Sequence, residues 1–265
     1  MKLLSLLPVA ALLSSMAIAA ELPKLIAHRG ASHAAPENTL AAFKLAWDEG
    51  ADGIEGDFQL TADGEVVCIH DPDTKRVAGR KLVVAKSAWQ DLAGLDVGAW
   101  KSPAFKGERI PRLTDVLDVL PAGKRFFLEI KSGPEIVDPI RLILAANKAE
   151  PKQVVMISFN ADVIAACREK LPAYQAHWIS DLKGIGKPAK RAAFARQLAL
   201  CGAQGLQFKA AAPVDAAWLK SLRDDDLELA SWTVDDVATA RRLAAMGVQN
   251  LTTNRPGPLR AELTE

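Results

Sequence analysis

The sequence predicts an α/β protein built as a (β/α)8 barrel, the TIM barrel fold, with a small insertion after the second strand. From Leu25 onward, eight short apolar segments alternate with longer segments whose apolar residues have helical spacing. The length of 265 residues also suits a single barrel. A doubly wound open sheet is the alternative, but no G-x-G-x-x-G pattern follows the first apolar segment.

The eight predicted strands are short and apolar, and helical segments lie between most of them. In chain order the strands are Leu25–His28, Gly53–Gln59, Phe126–Lys131, Val154–Phe159, Gln175–Ile179, Gly205–Phe208, Glu228–Thr233 and Val248–Thr252. The predicted helices are Thr39–Glu49, Asp138–Lys148, Ala161–Lys170, Pro188–Ala199, Asp215–Leu222 and Asp235–Met246. The residues at the expected helix N-caps are Asn38 or Thr39, Asn160, Asp215 and Asp235.

One stretch departs from this alternation. An extra strand over Glu65–His70 follows the second strand, and the turn that joins them contains Asp63-Gly64, a hairpin signal. We interpret Asp63 as a turn residue with no catalytic role. Residues 72–111 then form no clear strand and helix unit, and we expect them to lie over the mouth of the barrel and to influence substrate choice.

The first twenty residues have the pattern of a secretory signal peptide. Lys2 precedes an apolar run that ends in Ala17-Ile18-Ala19, just before polar residues. We therefore expect residues 1–20 to be removed and residues 21–265 to form the barrel domain. An uncleaved anchor helix is the alternative. The mature protein would be secreted, and periplasmic if its host has two membranes, with no stable insertion into the membrane.

Composition narrows the function further. The formal net charge is +1, and 49% of the residues are hydrophobic, which is ordinary for a globular enzyme and gives no sign of a nucleic-acid partner. Of the three cysteines, Cys68 lies in an apolar run and is expected to be a buried free thiol. A bridge between Cys167 and Cys201 stays open. No Cys/His spacing suits zinc.

The residues with catalytic chemistry stand at the carboxyl ends of the predicted strands, where barrels of this class carry their active sites. Glu55 and Asp57 are two residues apart and therefore point to the same side of the second strand. The other charged, histidine and aromatic residues near strand ends are His28, Arg29, His70, Glu129, Lys131 and Trp232.

Three carboxylates from neighbouring strands make an oxygen site suited to Mg²⁺ or Ca²⁺. An ion-pair network, with Glu129 bound to Lys131 or Arg29, would explain the same acids without a metal. Two histidines, an arginine and a lysine beside the carboxylates favour the metal site and a phosphate substrate. The histidines can serve as general base and general acid in phosphodiester cleavage.

These residues lie in motifs that together resemble the glycerophosphodiester phosphodiesterase family. The motifs, in order, are His28-Arg29-Gly30, Pro36-Glu37-Asn38-Thr39, Glu55-x-Asp57, Thr61-x-Asp63-Gly64, His70-Asp71, Leu128-Glu129-Ile130-Lys131, Ser158-Phe159, Trp232-Thr233-Val234 and Thr252-Thr253-Asn254-Arg255-Pro256. They extend over essentially the whole chain after residue 20. The resemblance implies a (β/α)8 barrel with an insertion after the second strand.

The resemblance also implies roles for single residues. Glu55, Asp57 and Glu129 would bind the divalent metal, His28 and His70 would be the acid/base pair, and Arg29 and Lys131 would contact the phosphate. Glu37 would bind metal or glycerol, or would only complement the dipole of the first helix. Trp232 would form an apolar wall against the glycerol carbons, or would pack within the barrel. Asn38 is expected to be a helix cap.

One departure from the family pattern is visible. The closing motif often carries Asp where this chain has Asn254. Asn caps a turn nearly as well as Asp, so we expect the departure to alter a local hydrogen bond and not the chemistry.

The sequence thus predicts metal-dependent hydrolysis of glycerophosphodiesters to sn-glycerol 3-phosphate and an alcohol. The nucleophile is either water or the 2-hydroxyl of glycerol. One alternative is a phospholipase D that acts on lysophospholipids on the same barrel. A second is a non-catalytic glycerophosphodiester-binding protein, although no ligand or histidine is lost here. A metal-dependent isomerase barrel is a third alternative, and the paired histidines and cations do not support it.

Overall fold

The computed structural model describes residues 22–265, so the predicted signal peptide lies outside the described residues. Nine strands form one sheet: β1 Lys24–Ala27, β2 Gly53–Leu60, β3 Val66–Cys68, β4 Arg125–Ile130, β5 Val154–Ser158, β6 Gln175–Ser180, β7 Gly205–Lys209, β8 Glu228–Trp232 and β9 Asn250–Thr253. All pair in parallel except β3, which runs antiparallel to β2. Because β1 pairs with both β2 and β9, eight parallel strands close into a barrel. The predicted fold is confirmed.

Ten α-helices accompany the strands in residues 22–265: α1 Leu40–Asp48, α2 Lys75–Ala78, α3 Trp89–Ala93, α4 Leu113–Asp118, α5 Val137–Ala146, α6 Ala161–Lys170, α7 Pro188–Cys201, α8 Ala216–Asp224, α9 Val237–Ala245 and α10 Pro256–Thr264. All six predicted helices are present, and each of their ends lies within two residues of the expected limit. Four helices, α2, α3, α4 and α10, were not predicted from the sequence. No helix in this part of the chain has both the length and the apolar character that crossing a membrane requires.

The N-caps of the main helices agree with the sequence except at α9. Asn160 and Asp215 accept hydrogen bonds from the first turns of α6 and α8, as expected. Thr39, and not Asn38, caps α1. The prediction of Asp235 as the cap of α9 is wrong, since Asp236 accepts the hydrogen bond from the N–H of Thr239. Asn38 and Asp235 instead form hydrogen bonds with residues at the carboxyl ends of the strands.

The core has an inner and an outer layer. Inside the barrel, Ile26, Phe127, Val155, Ile157 and Ile179 pack together beneath Trp232. Two larger apolar clusters lie between the strands and the surrounding helices, and they contain the bulky side chains that point outward from the strands. The polar residues at the upper strand ends therefore stand on a packed apolar floor.

The chain between β3 and α4 has a small apolar cluster of its own. Val77 and Leu92, from α2 and α3, pack in one cluster with Val84, Ile110 and Val67 of β3. Asp63 accepts hydrogen bonds from the hydroxyl of Thr61 and from the N–H of Trp89. This confirms Asp63 as a turn residue.

The three cysteines are buried and free in the described part of the chain. Cys68 is a buried free thiol, as predicted, and its Sγ lies 3.3 Å from Oδ1 of Asn38. Cys167 and Cys201 belong to one apolar cluster without forming a bridge.

Candidate active site

Three buried carboxylates meet at the carboxyl ends of β2 and β4. The two strands are neighbours in register, and Asp57 lies opposite Glu129. Glu55 is two residues before Asp57 and therefore points to the same inner side. One potential ligand atom from each of the three residues lies within 4.8 Å of the others. The structure thus brings together the three residues that the sequence predicts as metal ligands.

This cluster is electrostatically strained without a cation. Burial, with the charges of Asp57 and Glu129, raises the pKa of Glu55 well above its usual value. Burial and the charge of Asp57 likewise raise the pKa of Glu129 to about 7. Burial acts in the same direction on Asp57, but Arg29 and Lys131 outweigh it and lower the pKa of this carboxyl. Two of the three acids are therefore destabilised as anions.

The donor set fits a divalent cation. All three groups are carboxylates, the ligands that Mg²⁺ and Ca²⁺ prefer. Within residues 22–265, Oε1 of Glu55 is buried and has no hydrogen-bond partner. A buried acceptor without a partner costs free energy that a bound cation would remove. The cluster can therefore hold a metal ion.

Two cations lie against the cluster, as the sequence predicts. Lys131 places Nζ 2.7 Å from Oε1 of Glu129 and 3.5 Å from Oδ1 of Asp57. Arg29 places Nε 3.1 Å from Oδ2 of Asp57, and its backbone N–H donates to Oε2 of Glu55. Arg29 has a φ of +56°, a left-handed conformation that turns this N–H toward Glu55. The ion-pair network that the sequence offers as an alternative to a metal site is therefore present, and it involves the same carboxylates.

The loop after β1 is shaped by a glycine that cannot be replaced without a clash. Gly30 has a φ of +80°, and a Cβ there would lie 2.6 Å from the backbone of Ala42 in α1. This close approach of the loop to α1 fixes the direction in which Arg29 leaves the strand.

Asn38 is the residue that orients Asp57. Its Nδ2 donates to Oδ2 of Asp57 at 2.8 Å, and its Oδ1 accepts from the N–H of Asp57 at 3.1 Å. Asn38 reaches this position with a φ of +58°, a conformation that Asn tolerates better than most residues. The expected capping role therefore belongs to Thr39, and Asn38 supports the acid cluster.

His28 directly follows β1 and is held by Asn254, which directly follows β9. Nδ1 of His28 is 2.7 Å from Oδ1 of Asn254. Nε2 of the same ring is on the pocket side, 4.0 Å from Oε2 of Glu55. Burial and the neighbouring Arg29 lower the pKa of His28, which favours the neutral ring.

His70 follows β3 and is held by a carboxylate. Its Nδ1 is 2.8 Å from Oδ1 of Asp71, whose other oxygen accepts a hydrogen bond from Nε of Arg76 at 2.6 Å. This hydrogen bond from Arg76, with that from His70, lowers the pKa of Asp71 to about 2. Asp71 is therefore a carboxylate at neutral pH.

Arg76, a residue that the sequence analysis missed, connects His70 to the first loop. Its two terminal nitrogens donate to the two oxygens of Glu37 at 2.8 and 2.9 Å, and Oε1 of Glu37 also accepts from Arg29. Although burial opposes the change, these arginines lower the pKa of Glu37. Among the described residues, Glu37 is thus paired with arginines at the rim and is not a member of the carboxylate cluster.

A pocket of about 290 Å³ lies beside the carboxylate cluster and the two histidines. One side is polar and includes His28, His70, Glu129 and Lys131, and the other side is apolar. The apolar wall is formed by Ile157, Phe159, Ile179 and Trp232. A larger open depression of about 650 Å³ lies at the opposite end of the barrel, beside Arg125 and Glu228, and includes none of the predicted site residues.

Two donors in the smaller pocket lack partners. Nε2 of Gln207, a buried residue of β7, and Nε1 of Trp232 have no hydrogen-bond partner within the described residues. Both residues line the pocket. The sequence analysis missed Gln207, although a polar residue between the apolar Leu206 and Phe208 is a signal of an inward-facing position.

The comparisons with known proteins agree with this geometry. The sequence model of the glycerophosphoryl diester phosphodiesterase family matches residues 28–258. A glycerophosphodiester phosphodiesterase of Caldanaerobacter subterraneus is 32% identical over 241 residues, which cover 89% of this chain and 95% of that protein.

Solved structures share the fold. A glycerophosphodiester phosphodiesterase from Agrobacterium tumefaciens superimposes with a TM-score of 0.77 at 26% identity, covering 91% of this chain and 100% of that one. An Oleispira antarctica phosphodiesterase in complex with the product sn-glycerol 3-phosphate has a TM-score of 0.83 at 24% identity, covering 92% and 98%. The chain therefore belongs to the glycerophosphoryl diester phosphodiesterase family, whose members are enzymes that hydrolyse glycerophosphodiesters.

Proposed function

We propose that this protein hydrolyses glycerophosphodiesters to sn-glycerol 3-phosphate and an alcohol in a reaction that requires a divalent metal. The observation that carries the proposal is one pocket lined by His28, by His70 and by two members of the buried carboxylate cluster, Glu55 and Glu129. Family membership supports the reaction class, and the chemistry of the pocket supports the proposed metal dependence and residue roles.

Glu55, Asp57 and Glu129 would hold the cation. When bound, Mg²⁺ or Ca²⁺ would stabilise the negative charge that develops on the phosphate oxygens in the transition state. Lys131 and Arg29 contact two of these carboxylates, and both line the pocket that the phosphate would enter. Their charges would bind the remaining phosphate oxygens. Glu37 would then hold Arg29 in place from the rim.

The two histidines differ in the partner of Nδ1, and this difference divides their roles. His28 faces the neutral amide of Asn254, whereas His70 faces the carboxylate of Asp71. A carboxylate partner compensates the charge of a protonated ring, and a neutral amide does not. His28 would therefore take the proton of the nucleophile, and His70 would donate a proton to the leaving alcohol.

The apolar wall and the two free donors suit the glycerol part of the substrate. Trp232 lines the pocket and would pack against the carbon atoms, and its Nε1 together with Nε2 of Gln207 would donate to free hydroxyls. A lysophospholipid replaces one of these hydroxyls with an ester. That ester carries a long acyl chain, which a pocket of about 290 Å³ has no room to enclose. We therefore expect glycerophosphodiesters to be preferred over lysophospholipids.

The test is release of sn-glycerol 3-phosphate from glycerophosphocholine and glycerophosphoethanolamine by residues 21–265. We expect EDTA to abolish release and either Mg²⁺ or Ca²⁺ to restore it. His28→Ala and His70→Ala should lower kcat by about 10²–10⁴-fold with the circular dichroism spectrum unchanged. Exposed His33→Ala is the matched control. Turnover that survives EDTA, or near-normal kcat in both histidine variants, would contradict the proposal, and faster turnover of lysophosphatidylcholine would favour the phospholipase D alternative.

We further propose that residues 1–20 direct export and are cleaved before Glu21. The apolar run that ends in Ala17-Ile18-Ala19 supports this proposal. Expression of the full chain in its host, followed by mass spectrometry of the exported protein, should give a mature chain that begins at residue 21. A membrane-bound product with an intact N-terminus would support the anchor alternative instead.

A further inference from the structure

Asn254 lies between His28 and Asp235 and contacts both side chains. Oδ1 of Asn254 is 2.7 Å from Nδ1 of His28, and Nδ2 of Asn254 donates to Oδ2 of Asp235 at 2.6 Å. The other oxygen of Asp235 accepts from the N–H of Asn254 and from the hydroxyl of Thr253. The amide of Asn254 is therefore fixed in orientation by a side chain that makes no contact with the pocket.

These contacts determine which ring nitrogen of His28 carries the hydrogen. The carboxylate of Asp235 can only accept, so the Asn254 atom that faces it has to be the amide nitrogen. The atom that faces His28 is then the carbonyl oxygen, which can only accept. Nδ1 of a neutral His28 ring consequently carries the hydrogen, and the lone pair lies on Nε2, on the pocket side.

We propose that Asn254, oriented by Asp235, is a positioning residue that keeps His28 in the Nδ1–H tautomer and presents the lone pair of Nε2 to the substrate. In the opposite tautomer an N–H would point at the nucleophile, and the ring could not accept its proton. The effect on turnover rests on the proposed function, whereas the tautomer itself does not.

The carboxylate at 235 and the amide at 254 form a matched pair in which each substitution alone creates a conflict. Asp235→Asn would set an NH₂ group against Nδ2 of Asn254. Rotation of the Asn254 amide by half a turn relieves this conflict, but it then directs NH₂ toward His28 and reverses the tautomer. Asn254→Asp alone would place two carboxylates about as close as the 2.6 Å that now separates Nδ2 and Oδ2.

Exchange of the two groups should remove both conflicts. In the double variant Asp235→Asn/Asn254→Asp, the amide at 235 donates to one oxygen of the carboxylate at 254, and the other oxygen accepts from Nδ1–H of His28. The pair therefore predicts a strongly non-additive double-mutant cycle. A purely structural role of either residue would not reverse a tautomer or be rescued by the exchange.

The experiment records ¹⁵N spectra of ¹⁵N-histidine-labelled protein at about pH 8, where a free imidazole is neutral, and measures kcat on glycerophosphocholine. The spectrum contains four histidines, and the His28→Gln variant identifies the signals of His28. The matched control is Asp236→Asn, because Asp236 is the neighbouring N-cap of α9 and Asn caps helices equally well.

We expect the wild type and the control to show the Nδ1–H tautomer and Asp235→Asn to show the reverse. We expect kcat to fall by about 10²–10⁴-fold in each single variant and to return to within about tenfold of wild type in the double variant. A wild-type ring in the Nε2–H tautomer would overturn the inference, whether or not any variant folds. So would a folded double variant with no recovery of kcat. Reversal of the tautomer in a protein without phosphodiesterase activity would contradict the proposed function and support this inference.

Discussion

The carboxylate cluster predicts that the metal-free protein loses stability as the pH rises. Burial raises the pKa of Glu129 from 4.5 to about 7 in the folded protein. The folded protein therefore binds the proton of Glu129 more tightly than the unfolded chain does. The resulting gain in the free energy of unfolding is complete below pH 4.5, the pKa in the unfolded chain, and is lost as the pH rises through about 7. A bound divalent cation compensates the charges and should prevent this loss. The stabilisation by metal should therefore be small at low pH and large at high pH.

The size of the effect follows from the shift. A difference of about 2.5 pKa units between the unfolded and folded protein corresponds to about 3 kcal/mol above pH 7. For a protein of this size, each kcal/mol changes Tm by about 2–4 °C. Calorimetry in EDTA should thus show a Tm about 6–12 °C lower at pH 8 than with saturating Mg²⁺ or Ca²⁺, and a much smaller difference at about pH 5.

Glu129→Gln tests the cause directly. This variant should be more stable than the wild type in EDTA at about pH 8, because it removes one buried negative charge, and it should gain little from metal. Glu150→Gln is the matched control, since Glu150 is an exposed residue that pairs with Lys152 far from the cluster. A wild-type Tm in EDTA that does not fall between about pH 5 and pH 8, or a full increment from metal in Glu129→Gln, would refute this explanation of the cluster.

Three further predictions concern the pocket and the opposite end of the barrel. Gln207→Leu should lower kcat/KM for glycerophosphocholine by about tenfold, because one hydrogen bond to the substrate is lost. Hydrolysis of bis(p-nitrophenyl) phosphate, which lacks glycerol, should stay unchanged, and equal losses on both substrates would contradict the assigned contact. Arg76→Gln should lower kcat by about tenfold because Asp71 and Glu37 lose their shared partner; an unchanged kcat would exclude this role. Burial lowers the pKa of His177 from 6.5 to about 4, so the free energy of unfolding in urea should fall by about 3 kcal/mol as the pH falls through this range. His177→Gln should not show this fall, and an identical pH dependence in both proteins would refute the assignment.

The sequence was sufficient for the carboxylates because their placement depends only on the periodicity of strands. Glu55 and Asp57 are two residues apart on β2, and Glu129 occupies the matching position on β4. Parallel strands bring such positions to one edge of the barrel without any knowledge of loops. The same reasoning located His28 and Lys131, which directly follow β1 and β4.

The sequence was insufficient where a side chain leaves its own element. Asn38 resembles a helix cap in sequence, and only its φ of +58° turns its amide toward Asp57. Arg76 lies in a segment with no periodic pattern, and its contacts with Asp71 and Glu37 depend on how that segment folds over the first loop. Local propensity does not determine contacts of this kind, because they arise from tertiary packing.

Barrel closure explains why the departure at position 254 has a larger consequence than the sequence suggests. Closure pairs β1 with β9, so the residues that follow these strands, His28 and Asn254, become neighbours although 226 positions separate them. The hydrogen bond altered by Asn in place of Asp is therefore the one made by a predicted catalytic ring. An amide there can hold the ring in the useful tautomer only if a nearby carboxylate orients it, and Asp235 provides that carboxylate. The amide at 254 and the carboxylate at 235 should therefore be interpreted as one unit.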